Sequence, residues 1–285
     1  MSEPTVKTRN GGMRSTVLLV AVIYLLLALA FVALFVFQVP LQFRPFVAFG
    51  ARYLGAILRG MPFVAASAVV SMALKFYVSR HPERCPAMPY RLVLGVLHPV
   101  SIVAVLLLFS ARPAPAYGAL VFAPVAALLT AVAIRIVGLE GHSRAGAATQ
   151  SESASPSHLL LEESFEGLRA LAVAGLFAAA LHNFLPVEIS TYLYRNHIPA
   201  ALVLAIFWLL FPVPRGVHAA IAPLFVGRFP AVAVAVYLGL GLVLHGQELR
   251  DLYDSYGRVY TVVVVALLVF VMLLLSIPAA GLVSL

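Results

Sequence analysis

Eight apolar stretches, each about long enough to cross a bilayer, make up most of this 285-residue chain. About 20 consecutive apolar residues span the ~30 Å hydrocarbon core as a helix. The run from Ser15 to Phe37 reaches that length without a charged residue, and the run from Val259 to Leu285 does so again. Lipid is therefore the solvent that the fold must satisfy, and the chain is predicted to be an integral membrane protein.

The composition supports a membrane protein and argues against a nucleic-acid-binding one. Hydrophobic residues make up 62% of the chain, charged residues 11%, and the mean hydropathy is +1.02. Soluble proteins contain about 45–50% apolar and about 25% charged residues. The formal charge of +8 comes from basic residues in short loops, where they orient helices and contact anionic headgroups. The single cysteine, Cys85, excludes an internal disulfide and a cysteine-based metal cluster.

The predicted fold class is all-α, a polytopic transmembrane helical bundle of about eight spans. Continuous apolar runs favour helices over barrel strands, which would alternate apolar and polar residues over about ten positions. The predicted spans are 15–38, 61–79, 91–111, 117–138, 167–185, 197–212, 229–246 and 259–284.

A long polar segment divides these spans into two groups of four. Residues 139–166 are rich in Ser, Ala, Glu and Gly, which is typical of a flexible linker, here predicted to be cytoplasmic. Residues 1–138 then form an N-terminal half and residues 167–285 a C-terminal half, each with four spans. Residues 41–60 are amphipathic and are predicted to form a helix in the headgroup plane before the second span.

The distribution of basic residues predicts the orientation. With a cytoplasmic N-terminus, 11 of the 19 Lys and Arg residues fall on the cytoplasmic side and 8 on the other. The excess favours two cytoplasmic termini in a bacterial inner (plasma) membrane, with Arg80, Arg84 and Arg91 in one cytoplasmic loop. Cysteine labelling at positions 84 and 250 should then report opposite sides of the membrane.

Polar residues inside the spans are few, and each is a functional hypothesis because lipid makes it costly. No Asp or Glu lies in the middle of a predicted span. His98, followed by Pro99 and Ser101, lies about a third of the way along the third span. The candidate binding residues are His98, Ser101, His182, Arg169 and His218. No histidine pair has H-x-x-x-H spacing, so neither a metal nor a cofactor is predicted.

Segment 211–230 is the most irregular stretch at membrane depth. Four prolines and two glycines prevent it from forming one straight helix. It forms either a broken helix that lines a cavity or a tight loop with a short interfacial helix. If a functional cavity exists, it is expected between the halves, lined by His98, Ser101 and this segment.

Two short stretches resemble known membrane enzymes. Residues 166–172 (EGLRALA), continuing to His182, resemble the opening helix of membrane acyltransferases that carry an Arg and a His on one span. Glu162 and Glu163, followed by Arg169, resemble the Glu-Glu…Arg signature of intramembrane CAAX-type proteases. The spacing departs from both families, since Arg169 and His182 are thirteen positions apart and Arg169 is too far from the Glu pair. No catalytic residue is therefore carried over from either family.

Three functions remain open from the sequence. The leading one is a permease-like or transport-associated protein, because the chain has no G-x-x-x-x-G-K-[ST], H-E-x-x-H or G-x-S-x-G motif. The second is an acyltransferase-like membrane enzyme that uses Arg169 and His182 on a lipid or lipid-linked substrate. The third is a non-catalytic scaffold of an envelope complex. The predicted partners are the lipid bilayer and other membrane subunits.

Overall fold

The computed structural model describes residues 44–80, 88–137 and 156–283. The described residues form eleven α-helices and one short 3-10 helix, with an isolated bridge between Val226 and Phe229 as their only β pairing. The helices are α1 (Arg44–Arg80), α2 (Met88–Val96), α3 (Pro99–Leu108), α4 (Ala114–Ile136), α5 (Pro156–Phe184), α6 (Val187–Arg195), α7 (His197–Leu210), α8 (Val217–Ile221), α9 (Ala231–Val243), α10 (Gly246–Tyr256) and α11 (Arg258–Val283). The predicted all-α fold class is confirmed. The chain divides into two compact units at Arg52–Tyr53, and all packing contacts given below lie in the second.

Most of these helices are suited to a bilayer. The five stretches that are individually long and apolar enough to cross one are Arg44–Leu74, Arg91–Leu108, Ala114–Ile136, Ser157–Phe184 and Arg258–Ala279. Two further candidates are long and apolar enough only when two bent helices are counted together, α6 with α7 at 110° and α9 with α10 at 56°. The described part of the chain thus has five helices that could span a membrane, or up to seven, at the positions of the last seven predicted spans. The predicted first span, 15–38, lies outside the described residues.

The predicted interfacial helix at 41–60 is not a separate element. Helix α1 runs without a break from Arg44 to Arg80, and Pro62 lies inside it. A proline within a membrane helix is tolerated because neighbouring groups satisfy the carbonyl that it leaves unpaired. The amphipathic stretch and the second predicted span therefore form one helix.

The polar linker is shorter than predicted. Helix α5 begins at Pro156, so residues 156–166 are helical, while residues 139–155 lie outside the described part of the chain. Proline suits the first turn of a helix, where its missing N–H has no partner to lose. The leucines and glutamates that follow it are strong helix formers. These local preferences outweigh the polar composition on which the linker prediction rested.

Helices α7 and α9 pack side by side and run in the same direction. The indole Nε1 of Trp208, near the end of α7, donates to the carbonyl of Leu244, directly after α9, at 3.3 Å. Just beyond both helices, the backbone N–H of Gly246 donates to the carbonyl of Val213 at 3.2 Å. Since the C-terminal ends of the two helices meet, the chain must return to the opposite end of the bundle before α9 begins.

Segment 211–230 makes this return as a broken, largely buried crossing. It contains the five-residue α8 and the 3-10 helix Ala222–Leu224. Gly216 and Gly227 have φ of 77° and 84°, a conformation that glycine adopts without strain. Near its far end, the carbonyl of Leu224 accepts a hydrogen bond from Nδ1 of His182, close to the end of α5. The geometry favours the broken helix over the tight interfacial loop.

The extra crossing corrects the predicted orientation of the last third of the chain. Arg250 of α10 lies 3.1 Å from the Oε2 atom of Glu166, near the start of α5. Arg91 of α2 lines one pocket with Glu248 of α10. The prediction that position 250 lies opposite the linker and the loop before α2 is therefore wrong. Hydropathy does not reveal the crossing at 211–230, because its prolines divide it into pieces too short to register as a span.

We expect position 250 and the loop before α2 to be labelled from the same side of the membrane. The native Cys85 thiol reports the loop, and Arg250→Cys in a Cys85→Ser background reports α10. Both should react with an impermeant maleimide in one vesicle orientation and be protected in the other. Labelling of the two positions from opposite faces would contradict the crossing at 211–230.

Candidate functional site

The break between α2 and α3 leaves a backbone carbonyl without its helical partner. Pro99 opens α3 and has no N–H to donate to the carbonyl of Gly95, four residues earlier. His98 is extended (φ −68°, ψ 120°), as a residue before proline tends to be. The carbonyl of Gly95 instead accepts the N–H of His98 at 3.2 Å and Nη1 of Arg215 at 3.3 Å. An arginine from segment 211–230 thus supplies a donor where proline removes one.

Arg215, His245 and Glu248 form a buried group that we call the ion cluster. Nη2 of Arg215 contacts Oε1 of Glu248, and Nδ1 of His245 lies 2.7 Å from Oε2 of the same carboxylate. Nε of Arg215 donates to Nε2 of His245 at 3.2 Å. The three side chains are only 12%, 6% and 19% exposed, so bulk water screens their charges weakly.

The hydrogen bonds fix the protonation of the ion cluster. A guanidinium can only donate, so Nε2 of His245 must accept and carries no proton. The imidazole proton is then on Nδ1, from which it faces the carboxylate of Glu248. This tautomer is inferred from the hydrogen-bond network. The cluster therefore consists of a guanidinium, a neutral imidazole and a carboxylate, with no net charge.

The start of α10 holds His245 and Glu248 together. His245 is the N-cap residue and Glu248 is the third residue of the helix. The carboxylate also accepts the backbone N–H of His245, which is one half of a capping box. An acidic residue in the first turn interacts favourably with the helix dipole. The sequence HGQE thus orients the carboxylate before Arg215 reaches it.

A small pocket with a mostly apolar lining lies next to the ion cluster, deeper along α9; we call it the polar pocket after Ser101 and His218, the two polar side chains that line it. Its lining includes Ser101 of α3, Gly216 and His218 of segment 211–230, and Gly241 of α9. Tyr237, one helical turn before Gly241, packs edge-to-face on the His218 ring with centroids 5.6 Å apart.

Several buried polar atoms around this pocket lack a hydrogen-bond partner among the described residues. They are both ring nitrogens of His98, Oγ of Ser101, both ring nitrogens of His218 and the hydroxyl of Tyr237. An unsatisfied buried group costs about 1–3 kcal/mol. Thr130 and His197 also carry such atoms elsewhere in the bundle, so the atoms near the polar pocket support a functional site only together with the ion cluster beside them.

The ion cluster also borders a second pocket. The second pocket is lined by Arg91, Leu92, Leu244, Glu248 and Leu252, at the end of the bundle where α2 and α10 meet. Glu248 thus belongs to the outer pocket, while Gly216, the neighbour of Arg215, belongs to the inner one.

The structure brings three of the five predicted site residues together. Ser101 and His218 line the polar pocket, and His98 lies within electrostatic range of Arg215 and the rest of the cluster. His182 lies at the far end of segment 211–230, and Arg169 is exposed on α5. Thirteen residues of helix separate these two by about 20 Å. They do not form a common site.

The sequence reading did not select Arg215, Glu248 and Tyr237 as site residues. Glu248 lies at the end of a predicted span and Arg215 lies between two predicted spans, so neither is a polar residue inside a predicted span. One signal was present: Pro99 removes the donor for Gly95 inside an apolar span, which calls for a donor from elsewhere.

Comparisons with known proteins do not identify this site. No protein-family model matches the chain, and no curated protein or solved structure matches it either. Within the described ranges, no group of three or more His, Cys, Asp or Glu side chains is arranged to hold a metal ion. The functional argument therefore depends on the geometry of the ion cluster and the polar pocket.

Gly241 is where α9 allows His218 to approach. A Cβ on Gly241 would lie 2.4 Å from Cγ of the His218 ring. We expect Gly241→Ala to lower the free energy of unfolding by about 1–3 kcal/mol, because overpacking forces shifts of that cost. Thermal denaturation in detergent measures the effect.

The matched control is Gly55→Ala in α1, where a Cβ would meet only Nη2 of Arg59 at 3.9 Å and stability should stay equal or rise. Equal melting temperatures for the two variants would contradict this packing.

Proposed function

We propose that this protein is a permease-like membrane protein whose transport path passes through the ion cluster and the polar pocket. The observation that carries the proposal is the broken crossing at 211–230, which places Arg215 against the end of α9. Broken membrane helices are tolerated where they line a cavity, and in transporters they form the binding sites. The substrate class is left open by this observation alone.

The distribution of polar groups favours a path over an interfacial active site. From Tyr237 to His245 the chain rises about 12 Å along and just past α9, and polar side chains lie near both ends of this stretch. Arg215 and His245 lie at one end, and Ser101 and His218 lie further in. An enzyme acting on a lipid headgroup would instead collect its polar groups at one depth. Its candidates, Arg169 and His182, lie about 20 Å apart on α5.

A scaffold explains the polar pocket less well. Apolar helices with few buried polar groups are sufficient to assemble with other membrane subunits. Here His98, Ser101, His218 and Tyr237 add unpaired polar atoms to the interior, at about 1–3 kcal/mol each. A path that admits water or a polar substrate would give these atoms partners.

The corrected topology also strengthens the orientation proposal. Moving Arg250 and Arg258 to the side of the loop before α2 changes the division of Lys and Arg from 11 against 8 to 13 against 6. We infer that this side is cytoplasmic in a bacterial inner (plasma) membrane. Since Arg258–Ala279 crosses once, the C-terminal end of α11 then lies on the opposite side, in contrast to the two cytoplasmic termini predicted from hydropathy.

Two buried serines test the proposal without knowledge of the substrate. Ser101 lines the polar pocket, whereas Ser276 is equally buried in α11 and donates to the carbonyl of Leu273. In a Cys85→Ser background, we expect Ser101→Cys to react with a small charged methanethiosulfonate and Ser276→Cys to stay unreactive. A path that opens to water exposes the first position and not the second.

Equal protection of Ser101→Cys and Ser276→Cys in lipid nanodiscs would overturn the permease proposal in favour of the scaffold. The melting temperature of each variant, measured before labelling, shows that the reaction takes place on folded protein. Reaction of both positions at the same rate would indicate general unfolding and would also count against a defined path.

A further inference from the structure

The His245–Glu248 pair is the place in this interior where an added proton is best accommodated. Its carboxylate already faces the Nδ1–H of His245 at 2.7 Å, so a second proton on the imidazole would have a counter-ion in contact. His98 and His218 are buried without such a partner, and a proton on either would be an uncompensated charge in an apolar bundle.

We propose that the His245–Glu248 pair is the proton-binding site of this protein and that a proton bound there releases Arg215. This inference rests on the proposed permease function, in which the proton is the coupling ion. It goes beyond that function by naming the ligand, the residues that bind it and the contact that it breaks.

The atoms available to the proton show why Arg215 is released. Nδ1 of His245 already carries a proton, so the new one goes to Nε2 or to the Glu248 carboxylate. If the proton binds to Nε2 of His245, this nitrogen can no longer accept from Nε of Arg215. Two N–H donors would then face each other. On Glu248 it removes the counter-ion of the guanidinium. Either way the cluster changes from no net charge to one positive charge, and Arg215 loses a contact that holds it.

Once the pair has bound a proton, other charged groups around it also favour the release of Arg215. Arg91 of α2 lines the same pocket as Glu248, and His98 lies within electrostatic range at the break between α2 and α3. Asp251, on the same helix as the pair, is exposed. Once the pair gains a positive charge, Arg91 and Arg215 are two nearby cations, which favours the outward movement of Arg215.

Release of Arg215 connects the two pockets. Arg215 joins three segments, because it also donates to the carbonyl of Gly95 between α2 and α3. The outer pocket, which includes Glu248, gives the proton a route from the end of the bundle. The inner pocket begins at Gly216, directly after Arg215. Movement of this one side chain therefore opens the barrier between them.

The chain contains a natural reporter of this change. Trp208 is the only tryptophan, it is fully buried, and its Nε1 donates to the carbonyl of Leu244, the residue before His245. Loosening of the start of α10 should weaken this hydrogen bond and admit water to the indole. The fluorescence of the protein in nanodiscs then reports the state of the ion cluster without a substrate.

We expect the Trp208 emission of the native chain to shift to longer wavelength in one reversible step on acidification from about pH 8 to about pH 5, the range in which imidazole charges. His245→Gln and Glu248→Gln should each abolish the step. Glu166→Gln, which removes the carboxylate of the exposed pair with Arg250, should leave it unchanged. His98→Leu should also retain the step. A step that persists in both cluster variants, or that only His98→Leu removes, would overturn the proposal.

A second measurement leaves the cluster intact and separates this inference from the proposed function. The labelling rate of Ser101→Cys, corrected for the ionisation of a model thiol, should be at least tenfold higher at the acidic end of the step than at the alkaline end. Labelling at the same corrected rate at both ends would overturn the proton site while leaving the permease standing. Protection at both ends would overturn both.

Discussion

The missing N–H of Pro99 is the constraint on which the interior of this protein depends. Inside lipid no water can add to the 3.2 Å bond that the carbonyl of Gly95 accepts from the N–H of His98, so its second acceptor position is open to a donor from elsewhere in the chain. Arg215 supplies one at 3.3 Å, and with it brings a positive charge into the bundle. A guanidinium there requires a counter-ion, which Glu248 provides through direct contact. A single proline in α3 thus accounts for a pair of charges that the apolar composition would not suggest.

The position of that counter-ion explains the unusual path of the chain. Glu248 lies in the first turn of α10, so α9 must end beside Arg215, where α7 also ends. Because α7 and α9 end at the same end of the bundle, the segment between them, 211–230, must cross back to the opposite end. Its crossing is short and irregular, and within it the ring of His218 packs against Gly241, where α9 has no side chain. The charge pair, the parallel helices and the broken crossing are therefore one arrangement.

Hydropathy predicted the helical class and the positions of the five to seven candidate spans, because both follow from the length of apolar runs. His98 and Ser101 were predicted as site residues because polar side chains beside a proline are visible in an apolar span, and that prediction stays a prediction. The predicted direction of α9 was wrong because it depends on the number of crossings before this helix. The prolines of 211–230 divide one crossing into pieces that are too short for hydropathy to detect. Arg215 and Glu248 were missed for a related reason. Each lies at the edge of an apolar run, and only the folded chain shows that both edges meet in the interior.

A neutral, well-paired cluster next to unpaired polar atoms defines how such a site can work. In the ion cluster the Arg215 guanidinium and the Glu248 carboxylate compensate each other's charge, which favours this arrangement in lipid. In the permease proposed above, water or a polar substrate that enters beyond Arg215 would give partners to the polar atoms of Ser101, His218 and Tyr237. One state is therefore favoured by charge pairing and the other by hydration of the polar pocket. Because these two contributions oppose each other, the proton that we propose to bind at His245 and Glu248 would shift the balance between the two states by weakening the charge pairing of Arg215.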